Sequence, residues 1–252
     1  MLLQELSWPA IGQISKDTPV VIPIAAVEQH GHHLPVYTDS MLCGEIVRRV
    51  ELAMHKEVLV APLMWLGNSH HHMDFPGTLS AAPRVYLDLL VSLLDNLIDH
   101  GFKRLLILNG HGGNDVPGKQ AIFEVRQSNR TRQDLLLLFT TYWSLGTEPW
   151  QVASELHQRE MGHACEWETS MILRMAPHLV GDYKQAPVVE PGNPFTPATR
   201  GWITKDRSEL GHIGWPHLAT TEKGEALLSA FSKDVQSLLQ RMLRWDGISW
   251  EG

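Results

Sequence analysis

The sequence predicts an α/β protein built on a mostly parallel sheet with helices covering both faces. Four short apolar runs read as buried strands, and the segments between them carry apolar residues at helical spacing. Strand and helix alternate at the interval of βα units, which needs crossovers that lay helices on both sides of the sheet.

The first strand is expected over Pro19 to Val27, where Glu28-Gln29-His30-Gly31 abruptly begins a polar stretch. Leu42, Ile46, Val50 and Met54 recur every four residues and predict a helix from Ser40 to about His55. Val58 to Leu63 reads as a second strand, followed by a polar segment from Gly67 to Thr78. A long helix fits Ala82 to His100. Pro83 is tolerated in its first turn, Leu87, Leu90, Val91, Leu94 and Ile98 form its stripe, and Gly101 stops it. Arg104 to Leu108 is the third strand, a helix resumes near Pro117, and Leu135 to Thr140 is the fourth strand. Glu166 to Met175 reads as helix, Pro187 to Gly201 as a loop, and Glu222 to Trp245 as a final amphipathic helix. No repeat or linker divides the chain, so one domain over residues 1–252 is expected.

Composition narrows the function. The chain has 252 residues, 21 basic and 28 acidic, with a formal charge of −7. No run of Lys or Arg could form a phosphate-binding stripe, which argues against a nucleic-acid partner. No apolar run reaches the length of a membrane span, and the first residues lack the basic and apolar regions of a signal peptide. Two cysteines, Cys43 and Cys165, make no disulfide framework, and the expected setting is cytoplasmic. The 14 histidines are the compositional anomaly, with short clusters at His30/His32/His33 and His70/His71/His72.

In parallel α/β sheets, ligands bind beyond the carboxyl ends of the strands. Glu28 and His30 follow the first strand, the His70 cluster follows the second, and His111 follows the third. With Asp39 they offer a mixed oxygen and nitrogen donor set suited to zinc, manganese or iron, without the thiolates of a structural zinc site. A bland alternative stands beside it: Glu28 and Asp39 could cap helices, Asp39 being well placed before Ser40. The segment Asn109-Gly110-His111-Gly112-Gly113-Asn114 permits tight turns and close ligand approach, or an anion nest. It matches neither a P-loop nor a dinucleotide fingerprint.

Several motifs together go further. Glu28-Gln29-His30-Gly31-His32-His33-Leu34-Pro35 with Thr38-Asp39, Gly67-Asn68-Ser69 with His72, and Phe75-Pro76-Gly77-Thr78 come first. Asn109 to Asn114, Gly162-His163-Ala164-Cys165-Glu166-Trp167-Glu168-Thr169-Ser170 and Thr221-Glu222-Lys223-Gly224 follow in order. This series resembles the creatininase family. The resemblance implies a three-layer αβα sandwich, two divalent metal ions, and hydrolysis of non-peptide C–N bonds by metal-activated water. It implies Glu28, Asp39 and His111 around one ion, and His30 with a bridging Asp39 around the other. Creatinine-hydrolysing members carry a Tyr-Glu pair where this chain has Gly112-Gly113, and that glutamate binds the second metal, so Glu168 is a candidate replacement ligand. Glu168 could equally be a base or orient a histidine. His163 resembles the proton-transfer histidine, although it could instead pair with Glu166 or Glu168 to hold a helix start. His72 is expected at the mouth of the site, with Trp143, Trp167, Gly112 and Gly113 lining the substrate pocket. His70 and His71 fall on less constrained positions, and Trp8, Trp65 and Trp202 read as core aromatics. The resemblance also implies a homo-oligomer, commonly a hexamer, acting on a small polar amide, cyclic amide or formamide. Creatinine itself is expected to be a poor substrate. Deformylation of a nucleotide-derived formamide, creatinine hydrolysis and a catalytically inactive metal-binding protein are the alternatives.

Overall fold

The computed structural model describes residues 1–153 and 155–250, so the end of the expected 1–252 domain lies outside the described residues. Its elements run α1 (Trp8–Gly12), β1 (Val20–Ile24), α2 (Thr38–Ala53), β2 (Leu59–Val60), α3 (Pro83–Asp99) and β3 (Arg104–Asn109). Then follow α4 (Asp115–Ser128), β4 (Leu136–Thr141), α5 (Pro149–Val152), α6 (Glu166–Met175) and α7 (Thr221–Arg244). The four strands form one parallel sheet in the order β2-β1-β3-β4, with Val20 opposite Leu59 and Leu105, and Arg104 opposite Leu136.

Alternation along each strand divides the apolar residues between two layers. Val20, Ile22, Ile24, Leu105 and Ile107 face Tyr86, Leu90, Leu94 and Ile98 of α3 and Ala121 and Val125 of α4. Val21, Leu106 and Leu108 point the other way, onto Leu42, Ile46 and Val50 of α2, Met171 and Ile172 of α6, and Leu227, Phe231 and Val235 of α7. The result is the expected αβα sandwich. Among the described residues, no helix is long and apolar enough to cross a membrane.

Most expected elements form, with boundaries moved for local reasons. The second strand contracts to two residues because Pro62 has no N–H to donate; pairing resumes when Met64 N donates to Pro23 O at 3.0 Å. Gly101 ends α3 in the left-handed region with φ +91. The short α1 carries only five residues and no apolar stripe long enough to read. Three aromatics expected in the core are exposed: Trp8 at 84 %, Trp65 at 45 % and Trp202 at 37 %. Neighbouring apolar residues in sequence do not bury a ring whose segment runs over the surface.

Helices α6 and α7 meet at their N-terminal turns. Lys223 is buried there, its Nζ donating to Glu166 Oε1 at 2.7 Å and to Leu218 O at 2.8 Å. Gly224 sits directly on the α6 backbone, where a Cβ would collide with the carbonyl of Ser170 and crowd Arg174. Gly224→Ala should therefore destabilise the protein by roughly 1–3 kcal/mol through overpacking. Equilibrium urea unfolding checks it; an unchanged or higher midpoint would show that the two helices are not closely seated.

Candidate metal centre

The polar residues beyond β1, the turn after β2, the end of β3 and the start of α6 converge on one buried cluster. Glu28, His30, Asp39, His111, His163 and Glu168 are all buried. Asp39 stands in the first turn of α2, where the helix dipole favours an anion. The helix begins two residues before the expected Ser40, and Asp39 makes no cap: its oxygens face His30 Nε2 at 3.1 Å and His111 Nδ1 at 2.9 Å. Glu28 Oε1 lies 3.3 Å from His111 Nδ1, 3.4 Å from His72 Nε2 and 3.5 Å from His163 Nδ1.

Backbone anchors explain why the motif residues take these positions. Asn109 Oδ1 accepts from His111 N at 3.0 Å, while Asn109 Nδ2 donates to His111 O at 2.7 Å and to Thr141 Oγ1 at 3.0 Å. Asn114 closes the other end of the loop, donating to Ala25 O and accepting from Asn68 N. Gly110 lets the turn touch α2, since a Cβ there would lie 2.6 Å from Cys43 Cβ. His163 is pinned by a two-way backbone bridge to Ile213 and precedes Ala164, held at φ +47. A non-glycine residue in that region is costly and is tolerated where a site needs it.

The hydrogen-bond network assigns the ring nitrogens. His30 Nδ1 donates to Glu28 O at 3.1 Å, which turns the Nε2 lone pair toward Asp39 and Glu168. His111 Nε2 donates to Asn68 O at 3.1 Å, leaving Nδ1 toward Asp39 and Glu28. His163 Nε2 donates to Gln29 O at 2.7 Å, leaving Nδ1 toward Glu28. Each imidazole thus presents a lone pair to the same volume, the usual effect of a second ring of contacts around a metal site.

Charge makes the same point. Burial alone would lower His111, yet the Glu28 charge and the Asp39 contact outweigh it and raise the imidazole to about 10. His30 is likewise raised against burial, by Asp39 and then Glu168. Asp39 is lowered against burial by His30 and His111. His163, farther from the carboxylates, is pushed down to about 3 by burial and by His30. The carboxylates draw protons onto the two nearest histidines, where a cation would otherwise sit. Apart from these imidazole–carboxylate contacts, Glu28 Oε2, His30 Nε2 and Asp39 Oδ2 are buried without a hydrogen-bond partner. Such a set is costly unless a cation completes it. Glu28/His30/Asp39, His30/His163/Glu168, Glu28/His72/His163 and Glu28/His71/His111 each bring three donor atoms within 4.8 Å of one another. The donor set therefore fits one or more divalent ions.

Not every expected position holds. Glu168 serves two purposes at once: Oε2 accepts from Cys165 N at 3.4 Å as a capping box, and Oε1 approaches His30 Nε2 at 3.6 Å. Glu166 does not pair with His163; it accepts from Lys223 and from the backbone of His157 and Gln158. His72 is not at the mouth but buried beside Glu28. Trp167 is a core residue whose Nε1 donates to Gln158 O at 3.0 Å, and Trp143 leans on that same core edge-on to Tyr142. Their helical and strand-end positions turn both rings inward, so neither lines the centre. The aromatic neighbour is Trp202, edge-on to His71 at 5.1 Å. Gly113 lies against the His111 and His71 rings, while Gly112 is exposed with open space around its α-carbon. Sequence reasoning brought His71 to this edge of the sheet without giving it a role, and gave none to Gln29; Gln29 adjoins the donor motif, but its reach to Gly211 depends on a segment 182 residues away.

A histidine–carboxylate cluster beyond the strand ends of a parallel αβα sheet is an arrangement suited to metal-assisted hydrolysis. The chain belongs to the creatininase family (creatinine amidohydrolase), which matches it over residues 4–239. Members of this family are hydrolases. A mycofactocin precursor peptide peptidase from Mycolicibacterium smegmatis is 29% identical over 231 residues, covering 90% of this chain and 85% of that protein. A creatinine amidohydrolase from Pseudomonas putida is 29% identical over 253 residues, with 94% and 95% covered. A crystal structure of creatinine amidohydrolase (creatininase) superposes with a TM-score of 0.83 at 24% identity, over 97% of this chain and 98% of that one. Solved creatininases of this fold include manganese and Zn-Zn forms.

Two outcomes follow from this geometry. His33 Nε2 contacts Ala164 O at 3.1 Å and Thr169 Oγ1 at 3.0 Å, and burial, then His212, lowers the imidazole to about 4. The unfolded chain binds that proton first, so stability is full above pH 6.5 and falls as pH drops toward 4, by about 3 kcal/mol. Urea unfolding at pH 7 and 4.5 should show a smaller pH loss in His33→Gln than in the parent; equal losses would remove His33 from the account. Asp39→Asn keeps the volume but removes the charge shared by His30 and His111. Elemental analysis should show bound divalent metal falling by about one ion per chain or more, with circular dichroism unchanged. Full metal content and full activity would exclude Asp39 as a bridging ligand.

Proposed function

We propose that this protein is a metal-dependent amidohydrolase whose centre is held by Glu28, His30, Asp39, His111 and Glu168, with His163 moving the proton. The observation that carries the reading is that buried Glu28, His30 and Asp39 bring three donor atoms within 4.8 Å of one another, with imidazole–carboxylate contacts in place of ordinary hydrogen bonds. Asp39 faces His30 through Oδ1 and His111 through Oδ2, the placement a bridging carboxylate requires. The proposed cofactor is a pair of divalent ions, zinc or manganese, with iron also suited to the donors. When bound, such ions polarise an acyl oxygen and lower the pKa of water.

The protein's own groups supply the rest. His163 Nδ1 faces the centre with its lone pair, so it takes a proton there and returns it to the departing nitrogen. Gln29 holds that ring through its carbonyl, keeping the orientation through the proton's two moves. Ala164 and the bridge to Ile213 prevent the His163 backbone from swinging away.

Substrate choice follows from what stands beside the centre. Gly112 and Gly113 place no ring or acid there, and Gly112 opens to free space. A small planar ring would meet no side chain from Gly112 or Gly113 to select it. We therefore read the substrate as a small polar amide with an open-chain acyl group, and creatinine as a poor one. The openness equally admits a peptide end, which connects this site to the relative named as a peptide peptidase. A cytoplasmic homo-oligomer, hexameric as the family resemblance implies, is the proposed form; the two buried free thiols suit a reducing compartment.

Apo protein reloaded with zinc or manganese should hydrolyse members of a panel of linear amides, formamides, lactams and short peptides. Chelation should abolish the activity and metal should restore it. Creatinine should rank below the best linear amide by about a hundredfold or more, the size of one lost transition-state contact near 3 kcal/mol. Creatinine as the best substrate, at about 10⁴ M⁻¹s⁻¹ or above, overturns the substrate reading. A fully metallated protein inactive on every amide points to a binding protein instead.

A further inference from the structure

The donors divide into two sets that meet at Asp39. His30 and Glu168 stand on the Oδ1 side, and His111 with Glu28 on the Oδ2 side. In the second set the chain continues to Gly113, which has no donor to offer. Nor could a side chain be accommodated there: a Cβ would collide with Asn68 O and His111 Nε2 and press on His71 Cε1 at 3.0 Å. The space beside the Glu28/His111 pair belongs to the His71 ring.

His71 is held there as a built part of the site. Its ring lies nearly parallel to His111, 5.8 Å between centroids at 13°, tilted against His72 at 4.2 Å, and edge-on to Trp202. Its carbonyl accepts from Thr204 Oγ1 at 2.7 Å. A His71 ring nitrogen, a Glu28 oxygen and a His111 nitrogen fall within 4.8 Å of one another. Among the described residues no hydrogen bond is made to a His71 ring nitrogen, and Glu28, which shares this donor group, has Oε2 buried with none.

His72, the other histidine against Glu28, is differently committed. The Gln29 amide donates one proton to Gly211 O at 2.8 Å. His163 Nε2 donates to Gln29 O, so the second amide proton goes to His72 Nδ1 at 2.8 Å. His72 Nδ1 is thus occupied by Gln29 and by Thr204 Oγ1, also at 2.8 Å, and its Nε2 lies 3.4 Å from Glu28. His72 orients the carboxylate, whereas His71 keeps a lone pair free.

We propose that His71 is a metal ligand of this protein, giving a nitrogen donor to the divalent ion held by Glu28, Asp39 and His111. The assignment rests on the hydrolase reading of the same centre and adds to it a metal preference. An imidazole brings no charge, so the three carboxylates face two dications with a net positive charge left to act on a substrate oxygen. Nitrogen in place of a further oxygen donor also moves the site toward zinc and away from manganese.

The test is metal binding, read without turnover. Wild type, His71→Ala, His71→Gln and His71→Glu are dialysed against buffered free zinc or manganese, and bound metal is counted by elemental analysis alongside circular dichroism. At a free zinc level that just saturates the wild type at two ions, His71→Ala should retain about one, its weaker site shifted by about tenfold or more. His71→Gln, which keeps polarity and approximate bulk, should lose the same ion and reports in the event that the alanine variant does not fold. His71→Glu should hold two ions and gain manganese relative to zinc. In cobalt-loaded protein the visible bands should change on His71→Ala. Two ions bound to His71→Ala and His71→Gln with wild-type affinity and unchanged cobalt bands overturn the ligand assignment while leaving the hydrolase reading intact. A wild type that binds no divalent ion overturns both.

Discussion

Glu28, Asp39 and Glu168 place three carboxyl groups in a buried volume whose polar contacts run to histidines. Concentrating like charge away from water is the constraint to which the surrounding structure answers. An isolated buried carboxylate is very costly, and imidazoles repay part of that cost only by taking up protons. The elevated His30 and His111 express this demand. A divalent ion satisfies it better, which makes the centre a place where fold stability and metal binding are coupled.

The sandwich is arranged to deliver those groups. Two apolar layers clamp the sheet from both faces and leave its carboxyl edge as the place where backbone irregularity is tolerated. The irregular segments there are not loose. Asn109 and Asn114 act as side-chain substitutes for the ladder bonds that β3 gives up where it ends, and Ser40 Oγ ties the start of α2 to Ala26 O at 2.8 Å. Each ligand candidate is thereby oriented by its own backbone as well as by its neighbours.

Much of this was legible in the sequence. Apolar periodicity located the strands and the long helices, because buried faces impose it whatever the remaining contacts. The strand-end rule then gathered Glu28, His30 and His111 on one edge before any distance was known. Donor chemistry added Asp39, and motif resemblance supplied His163 and Glu168, which periodicity could not relate to that edge. What escaped depends on contacts between distant segments. The His71 ring takes its place from Gly113 and Trp202, and Gln29 is defined by its reach to Gly211. Trp143 and Trp167 failed as pocket walls because a residue's neighbourhood in sequence says little about which way its ring turns.

The two oxygens of Glu168 lead in different directions, one to the opening turn of α6 and the other to His30. The start of that helix and the donor cluster consequently share one side chain, and α6 is in turn seated on α7 through Lys223 and Glu166. A Glu168 that took part in holding a cation would do so with the side chain that also caps α6, which would couple occupancy of the centre to the order of that helix end. By linkage such a coupling would run both ways, from the centre to the α6–α7 junction and back. Helix packing at the first turn of α6 and the donor cluster are thus joined through neighbouring residues, Glu166 and Glu168.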